Sequence, residues 1–241
     1  MKILVLSDDF PPEVAGGAGI MAFRITKEFV RQGHEVLVIS TTSDKRKVGR
    51  VDFEGISIFY IHSNYHERWR SYVSLWNPLV LYQIRKILKD FQPDVVHAHN
   101  VHRNLSYASL FLAKKYARKV FMTAHDIMSF YPGTFTEFIH QSDLSCPSTF
   151  NYKVTPLMIF NNLSLRYNPF RNSIVKKILN KIDGVIAVSW SLEDALIQNG
   201  IRVSTVIHNG IDVDGWQVSD EKVLNFKEKF GLIGKDGYRL S

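Results

Sequence analysis

The sequence predicts an α/β fold built on a doubly wound, mostly parallel sheet. Three observations carry that expectation. Short continuous apolar runs recur along the 241 residues, segments of helical periodicity separate them, and a glycine-rich stretch joins the first run to the first helix. Continuous rather than alternating apolar runs mark strands buried on both faces, as parallel sheets require. Regular alternation of strand and helix then selects the doubly wound arrangement.

Residues 2–7 (KILVLS) form the first such strand. Ile20, Phe23 and Val30 share one helix face, and Gly33 supplies the stop. Residues 35–40 (EVLVIS) make the second buried strand, and residues 51–61 alternate about Glu54-Gly55 in the pattern of a hairpin. One long helix is expected within 71–91, carrying Leu79, Ile84 and Leu88, with Pro93 parting it from a strand at 94–98. A helix at 105–117 and a strand at 119–124 come next, then an irregular stretch at 125–155 rich in Phe, Tyr, Pro and Ser. The remaining elements are an amphipathic segment at 174–182, strands at 184–188 and 203–207, and helices at 191–198 and 223–230. Ser191 with Asp194 reads as a capping box and Gly200 as a stop. No internal repeat or low-complexity linker interrupts the rhythm. Residues 1–216 are therefore taken as one domain, and 217–241 as a terminal helix with the start of a connection.

Hydrophobic residues at 45% and charged residues at 22% exclude a disordered or collagen-like chain. The apolar runs fall far short of the roughly 18 residues of a bilayer span. The first is cut off by Asp8 and Asp9, too soon for a secretory signal, so a cytoplasmic chain is expected. Cys146 stands alone, which removes an internal disulfide framework and a Cys-rich zinc site. The balance of 30 Lys+Arg against 23 Asp+Glu gives +7. That charge suits phosphorylated ligands, an anionic membrane surface or nucleic acid without choosing among them.

Ligands of open parallel sheets bind beyond the carboxyl ends of the strands, so the residues after each strand matter most. After the first comes a loop ending in Gly16-Gly17-Ala18-Gly19 and running into a helix, where backbone N–H groups and the helix dipole favour a phosphate. The plainer reading of those glycines is a tight turn. Residues 17–22 also fit the dinucleotide pattern G-x-G-x-x-A, but residues 8–16, two of them proline, separate it from its strand. Ser40, Thr41 and Thr42 stand where the ribose-binding acid belongs, which argues against a nicotinamide site. His97, His99 and His102 surround the end of the strand at 94–98; alternation puts the first two on one side. No Cys or acidic cluster supports a metal there, so a polar pocket lining is the better reading and no metal is expected. His125-Asp126 ends the next strand, well placed to hydrogen-bond a polyol, and His208-Asn209-Gly210 makes a turn after the last. Residues 66–76 interleave Arg68 and Arg70 with Trp69, Tyr72 and Trp76, while residues 160–182 carry Arg166, Arg171, Lys176, Lys177 and Lys181 and no acid. Such segments suit anionic headgroups, or else form solvated helix faces with aromatics packed inward. No nucleic-acid module is present.

Together these pieces resemble a known family. KILVLSDDFPPEVAGGAG, VRQGHEVLVIST, PDVVHAHN, TAHD, DGVIAVSWS and VIHNGID occur in the order and spacing of the amino-terminal domain of retaining family four GT-B glycosyltransferases, from residue 2 to about 216. Each is weak singly, and the ordered set is specific. The resemblance implies a Rossmann-like domain that faces a second one across a cleft, the first binding the acceptor and the second the nucleotide-sugar. It assigns Gly16 and Gly17 to the loop approaching the donor diphosphate and the acceptor, and Asn209 and Gly210, at the turn near the hinge, to the same donor- or phosphate-binding set. His125 becomes the catalytic histidine that contacts the transferred sugar, at its strand's carboxyl end and within reach of Gly17. His99, Asn100 and Asp126 fall on the acceptor side, and Ser189 matches a strand-end serine of structural role. Transfer would proceed with retention through an oxocarbenium-like state, using cations and backbone donors on the leaving diphosphate and no metal or other cofactor. The donor-binding domain is not contained in residues 1–241, whose last three resemble that domain's opening strand, so it is expected in cis or in trans. The expected function is therefore the amino-terminal part of a transferase acting on a glycan, lipid-linked or small polyol acceptor. A non-catalytic sugar- or phosphate-binding module derived from such an enzyme is the alternative.

Overall fold

The computed structural model describes residues 1–13, 16–138, 150–163, 168–211 and 219–229. Cys146, Arg166, Asp212 and the expected strand opening at 239–241 lie outside the described residues. Two compact units are present, Met1–His208 and Asn209–Ser241.

In chain order the first unit contains β1 (Lys2–Leu6), α1 (Gly17–Arg31), β2 (Glu35–Thr42), β3 (Gly49–Phe53), β4 (Ile56–His62), α2 (Arg70–Val73), α3 (Pro78–Phe91) and β5 (Val95–Ala98). It continues with α4 (Ala108–Ala113), β6 (Lys119–Ala124), α5 (Pro156–Leu163), α6 (Arg171–Leu179), β7 (Gly184–Ala187), α7 (Trp190–Gln198) and β8 (Thr205–Val206). The second unit carries α8 (Asp220–Lys229). Eight strands form one sheet in the order β3-β4-β2-β1-β5-β6-β7-β8. Every pairing is parallel except β3 with β4. The expected α/β, doubly wound architecture is the one observed.

Both faces of the sheet are covered, which is why its strands read as unbroken apolar runs. Ile3 and Val5 of β1, with Val36 and Val38 of β2, pack in one core that includes Ala22 of α1. Leu4, Leu6, Leu37 and Ile39, the alternate residues of the same strands, belong to the larger core on α3, α4, α6 and α7. Each such side chain contributes roughly 1.5–3 kcal/mol on burial. The β3–β4 hairpin turns where expected, with Glu54 at φ 47° and Gly55 at φ 78°. Both central residues in the left-handed region give the twist that a two-residue hairpin needs.

Four local expectations are corrected. The long helix expected within 71–91 is α3, which starts at Pro78 because a first turn tolerates the missing N–H, with Arg70–Val73 forming the separate α2; what is corrected is the side on which Leu79 lies. That start sets the phase: Val80, Leu81, Ile84 and Leu88 face the core, while Leu79 is 76% exposed. On α1 the buried residues are Gly19, Ala22 and Thr26 rather than Ile20. A Cβ at Gly19 would stand 2.8 Å from the Asp9 carbonyl oxygen, so the helix approaches the chain after β1 more closely than any side chain would allow. The α7 cap is Ser189, whose Oγ accepts from Leu192 N–H at 3.2 Å, so the capping box proposed for Ser191 and Asp194 is not formed. Asp194 instead accepts from Gln198 at 3.0 Å. The helix expected at 105–117 is confined to α4, preceded by Ser106 at φ 65°.

Candidate functional site

The carboxyl ends of β1, β5 and β6 are neighbours in the sheet, and a polar cluster sits on them. β5 delivers His97 and β6 delivers Thr123, whose hydroxyl lies 2.9 Å from His97 Nε2. His99 and His125 come directly after these strands. Their rings stack with centroids 5.3 Å apart, and His99 Nδ1 lies 3.0 Å from His125 Nε2. The His97 and His99 rings are 4.5 Å apart, so the alternation read from the sequence holds and three imidazoles form a column. His99 is fully buried and His125 half-buried, so only the last ring of the column reaches the surface.

Electrostatics keep this column neutral. Burial pushes His97 down to about 4, with the neighbouring His125 adding to the effect. Burial and both neighbouring rings hold His99 well below the usual imidazole range. Burial also lowers His125, while the Asp126 carboxylate pulls the other way. The tautomer is assigned by accounting for each nitrogen. His99 Nε2 is buried with no hydrogen-bond partner among the described residues. An unpaired buried acceptor is less costly than an unpaired buried N–H, so the proton of His99 is assigned to Nδ1, which donates to His125. His125 then keeps its own proton on Nδ1 and offers one N–H outward.

The acidic partners are fixed with equal care. Asn100 Nδ2 donates to Asp126 Oδ2 at 3.1 Å, and Asp126 Oδ1 accepts from Met128 N–H at 2.9 Å. His102, held near 4 by burial, lies 3.9 Å from Asp126 Oδ1. Among the described residues no three His, Cys, Asp or Glu side chains converge as a metal set. Gly16 precedes α1 in extended conformation and its carbonyl accepts from Ile20 N–H at 3.0 Å. A Cβ at Gly16 or Gly17 would meet nothing within 4 Å, so open space rather than packing surrounds these two glycines. Asn209 and Gly210 open the second unit, where both are exposed. The structure thus links His99 with His125 and Asn100 with Asp126.

Two residues matter more than the sequence suggested. Asp8 is buried and its carboxylate accepts from three backbone N–H groups, Arg103 at 2.7 Å, Asn104 at 2.9 Å and Leu105 at 2.8 Å. Burial nonetheless raises its carboxyl to about 6 against those three donors. Its carbonyl accepts from the Ser40 and Thr41 hydroxyls at 3.2 and 3.3 Å, and its N–H donates to the Asn100 carbonyl at 2.8 Å. The hydroxyls that stand in place of the ribose-binding acid therefore tie β2 to β1. The only local signal was an acid directly after a wholly apolar strand. The second is Arg171, which the sequence places in a basic surface segment and the structure leaves only 8% exposed. It lines a cavity of about 130 Å³ together with Arg70.

The family model described as Glycosyltransferase Family 4 matches residues 15–214. The chain belongs to this family. A protein from the cps region of Klebsiella pneumoniae is 26% identical over 99% of this chain and 62% of its own length. Glycogen synthase of Mycobacterium tuberculosis is 23% identical over 99% of this chain and 55% of its own length. The chain thus spans little more than half the length of these family relatives. Among solved structures, a sucrose-phosphate synthase fragment from Thermosynechococcus elongatus superposes with TM-score 0.51 at 11% identity, over 95% of this chain and 99% of the fragment. A trehalose-6-phosphate protein from E. coli, bound with UDP-2-fluoro glucose, gives 0.54 at 13% identity over 96% of this chain and 55% of that one. Those likenesses show a shared fold, the α/β Rossmann-like sheet of GT-B structures.

Proposed function

We propose that the chain is the acceptor-side part of a retaining glycosyltransferase, moving a sugar from a nucleotide-sugar to a glycan, lipid-linked or small polyol acceptor. The observation that carries this reading is His125: a neutral imidazole at the carboxyl end of β6, fixed through one nitrogen by His99 and left with one N–H to offer. Such a group can hold a sugar hydroxyl without adding charge where positive charge develops on the reacting carbon. The open space at Gly16 and Gly17, before an uncapped helix N-terminus, supports a diphosphate approaching α1. Asn100 and Asp126, already bonded to each other, would orient acceptor hydroxyls. The bound UDP-2-fluoro glucose in the E. coli structure of like fold supports a nucleotide-sugar donor.

The test combines this chain with a candidate donor-binding domain and a nucleotide-sugar, and reads nucleotide release and the anomeric configuration of the product. Release with a retained configuration is expected. No release with the matching domain supplied would favour a non-catalytic binding module instead.

A peripheral membrane position also has support. The two basic, aromatic segments meet in one apolar groove lined by Tyr72, Leu75, Trp76, Phe111, Ile174 and Ile178. Lys115 and Lys181 stand 5.4 and 5.9 Å from the Phe111 ring, which gives the groove a cationic rim. Among the described residues no helix is long and apolar enough to cross a membrane. Co-flotation with anionic but not neutral vesicles, lost in Trp76→Ser with Lys181→Glu, is the expected outcome.

A further inference from the structure

We propose that the cavity between Arg70 and Arg171 binds a phosphomonoester carried by the acceptor. This inference rests on the glycosyl-transfer reading above and names the acceptor's chemical class. The cavity is lined by residues that come after β4 and β6 and at the start of α6, and its two arginines are close enough for their charges to act on His102, as the Asp126 charge acts on Arg171. Its volume of about 130 Å³ is several times the ~30 Å³ share of one water molecule.

Arg171 is held in place by neutral groups alone. Its Nε donates to Ser74 Oγ at 3.3 Å, Nη2 to the Met128 carbonyl at 2.7 Å and Nη1 to Asn172 Oδ1 at 3.3 Å. The Tyr107 ring lies 5.8 Å from the guanidinium carbon. Three of the five guanidinium N–H groups are thereby used, and the Tyr107 hydroxyl can take one more, so at least one remains. No carboxylate lies within 4.0 Å of the guanidinium among the described residues. Arg70, half-buried across the cavity, has no hydrogen bond or ion pair to a described residue through its side chain. Burial above all, and then the like charge of Arg70, draw the Arg171 guanidinium down from its ordinary value, while Tyr107 and, less strongly, Asp126 pull the other way without cancelling them. Glu67 also borders the cavity, but its carboxylate is largely exposed and turned to Arg103 at 3.8 Å.

A buried cation without a counter-ion is costly, and a second cation facing it raises that cost. The arrangement makes physical sense when a ligand brings the missing negative charge. Two guanidiniums with spare N–H groups match the oxygens of a phosphate, in a fork geometry that lysine would not reproduce. The anion would be anchored on one side of His102 and Asp126, with the rest of the acceptor running toward His125.

The test titrates the chain with inorganic phosphate and reads binding by calorimetry, with no donor and no turnover. Saturable binding is expected, weakened ~tenfold or more in Arg70→Gln and in Arg171→Met. Arg70 lies at the cavity edge, so Arg70→Gln decides the matter if Arg171→Met fails to fold. A hexose 6-phosphate that binds more tightly than phosphate would assign the site to a soluble acceptor. Micelle-dispersed phosphatidic acid that binds more tightly would assign it to a lipid-linked one. No saturation by about 10 mM phosphate, equal affinity in both variants, or no gain from either phosphomonoester would overturn the proposal. Because no transfer is measured, these outcomes are independent of whether the glycosyltransferase reading holds.

Discussion

Asp8 and Arg171 are both charged residues buried near the carboxyl end of one sheet, yet their surroundings are opposite. Asp8 receives three backbone N–H groups and has its donors in hand. Arg171 is surrounded by neutral acceptors and faces another arginine across a cavity. The contrast separates groups whose bonding is complete, which hold the fold, from groups with bonding capacity left over, which the readings proposed above assign to a ligand. His125 falls in the second class, because one of its nitrogens is taken and the other is not.

Substitutions can break or sharpen this division. The largest effect belongs to His125→Ala in this chain combined with a candidate donor-binding domain: turnover should fall ten- to a thousandfold, equivalent to roughly 1.4–4 kcal/mol, with unfolding barely changed. Undiminished turnover would remove His125 from the open class. Asp8→Asn should behave in reverse, costing about 2–4 kcal/mol in urea unfolding, because an amide N–H₂ must meet backbone donors. A midpoint shift too small to measure would show that the three N–H contacts do not hold the loop.

Acid provides a third test. His97 and His102 stand near 4 in the folded chain against 6.5 for a free imidazole, so the unfolded state binds more protons below neutrality. Stability should therefore decline as pH falls from about 6.5 to about 4, by roughly 2 kcal/mol net. Asp8 works in the other direction: raised to about 6, its contribution is present at low pH and lost as pH rises through that value. Thermal unfolding of Asp8→Asn should consequently show a steeper acid decline than the parent, and a flatter one would contradict the assignment.

Glycines give a smaller contrast. Gly19→Ala places a methyl against the Asp9 carbonyl and should cost about 1–2 kcal/mol, whereas Gly17→Ala should leave stability unchanged or slightly higher while weakening donor binding. Equal unfolding midpoints for the two would refute the distinction between packed and open glycines. The smallest effect is Arg171→Met, expected to shift unfolding by less than about 1 kcal/mol, since replacing an unpaired buried charge with an apolar side chain removes its desolvation cost. A large destabilisation would mean that the arginine is a structural post.

The sheet was legible because burial on both faces writes itself as local apolar runs, and the Glu54-Gly55 turn because its backbone demands are local. The exposure of Leu79 was not legible, because the phase of α3 follows from its start at Pro78, whereas Ile84 and Leu88 fit either a long or a short helix. Ser189 and Ser191 are indistinguishable as caps until the end of β7 is known. The site was legible only as strand-end residues. That His99 is sealed behind His125, or that Asp8 reaches residues 103–105, depends on contacts across 26 and 95–97 positions of chain, for which no nearby residue gives a cue.

The Asp8 tether grips main chain and not side chain. Arg103 and Asn104 are held by their N–H groups while their side chains line the polar pocket beside Thr41, Ser63 and Tyr65. A loop fastened this way can exchange the chemical character of what it presents without losing its position. Variation at 103 and 104 can therefore change the chemistry of that pocket on an unchanged frame, provided the residue at position 8 stays aspartate.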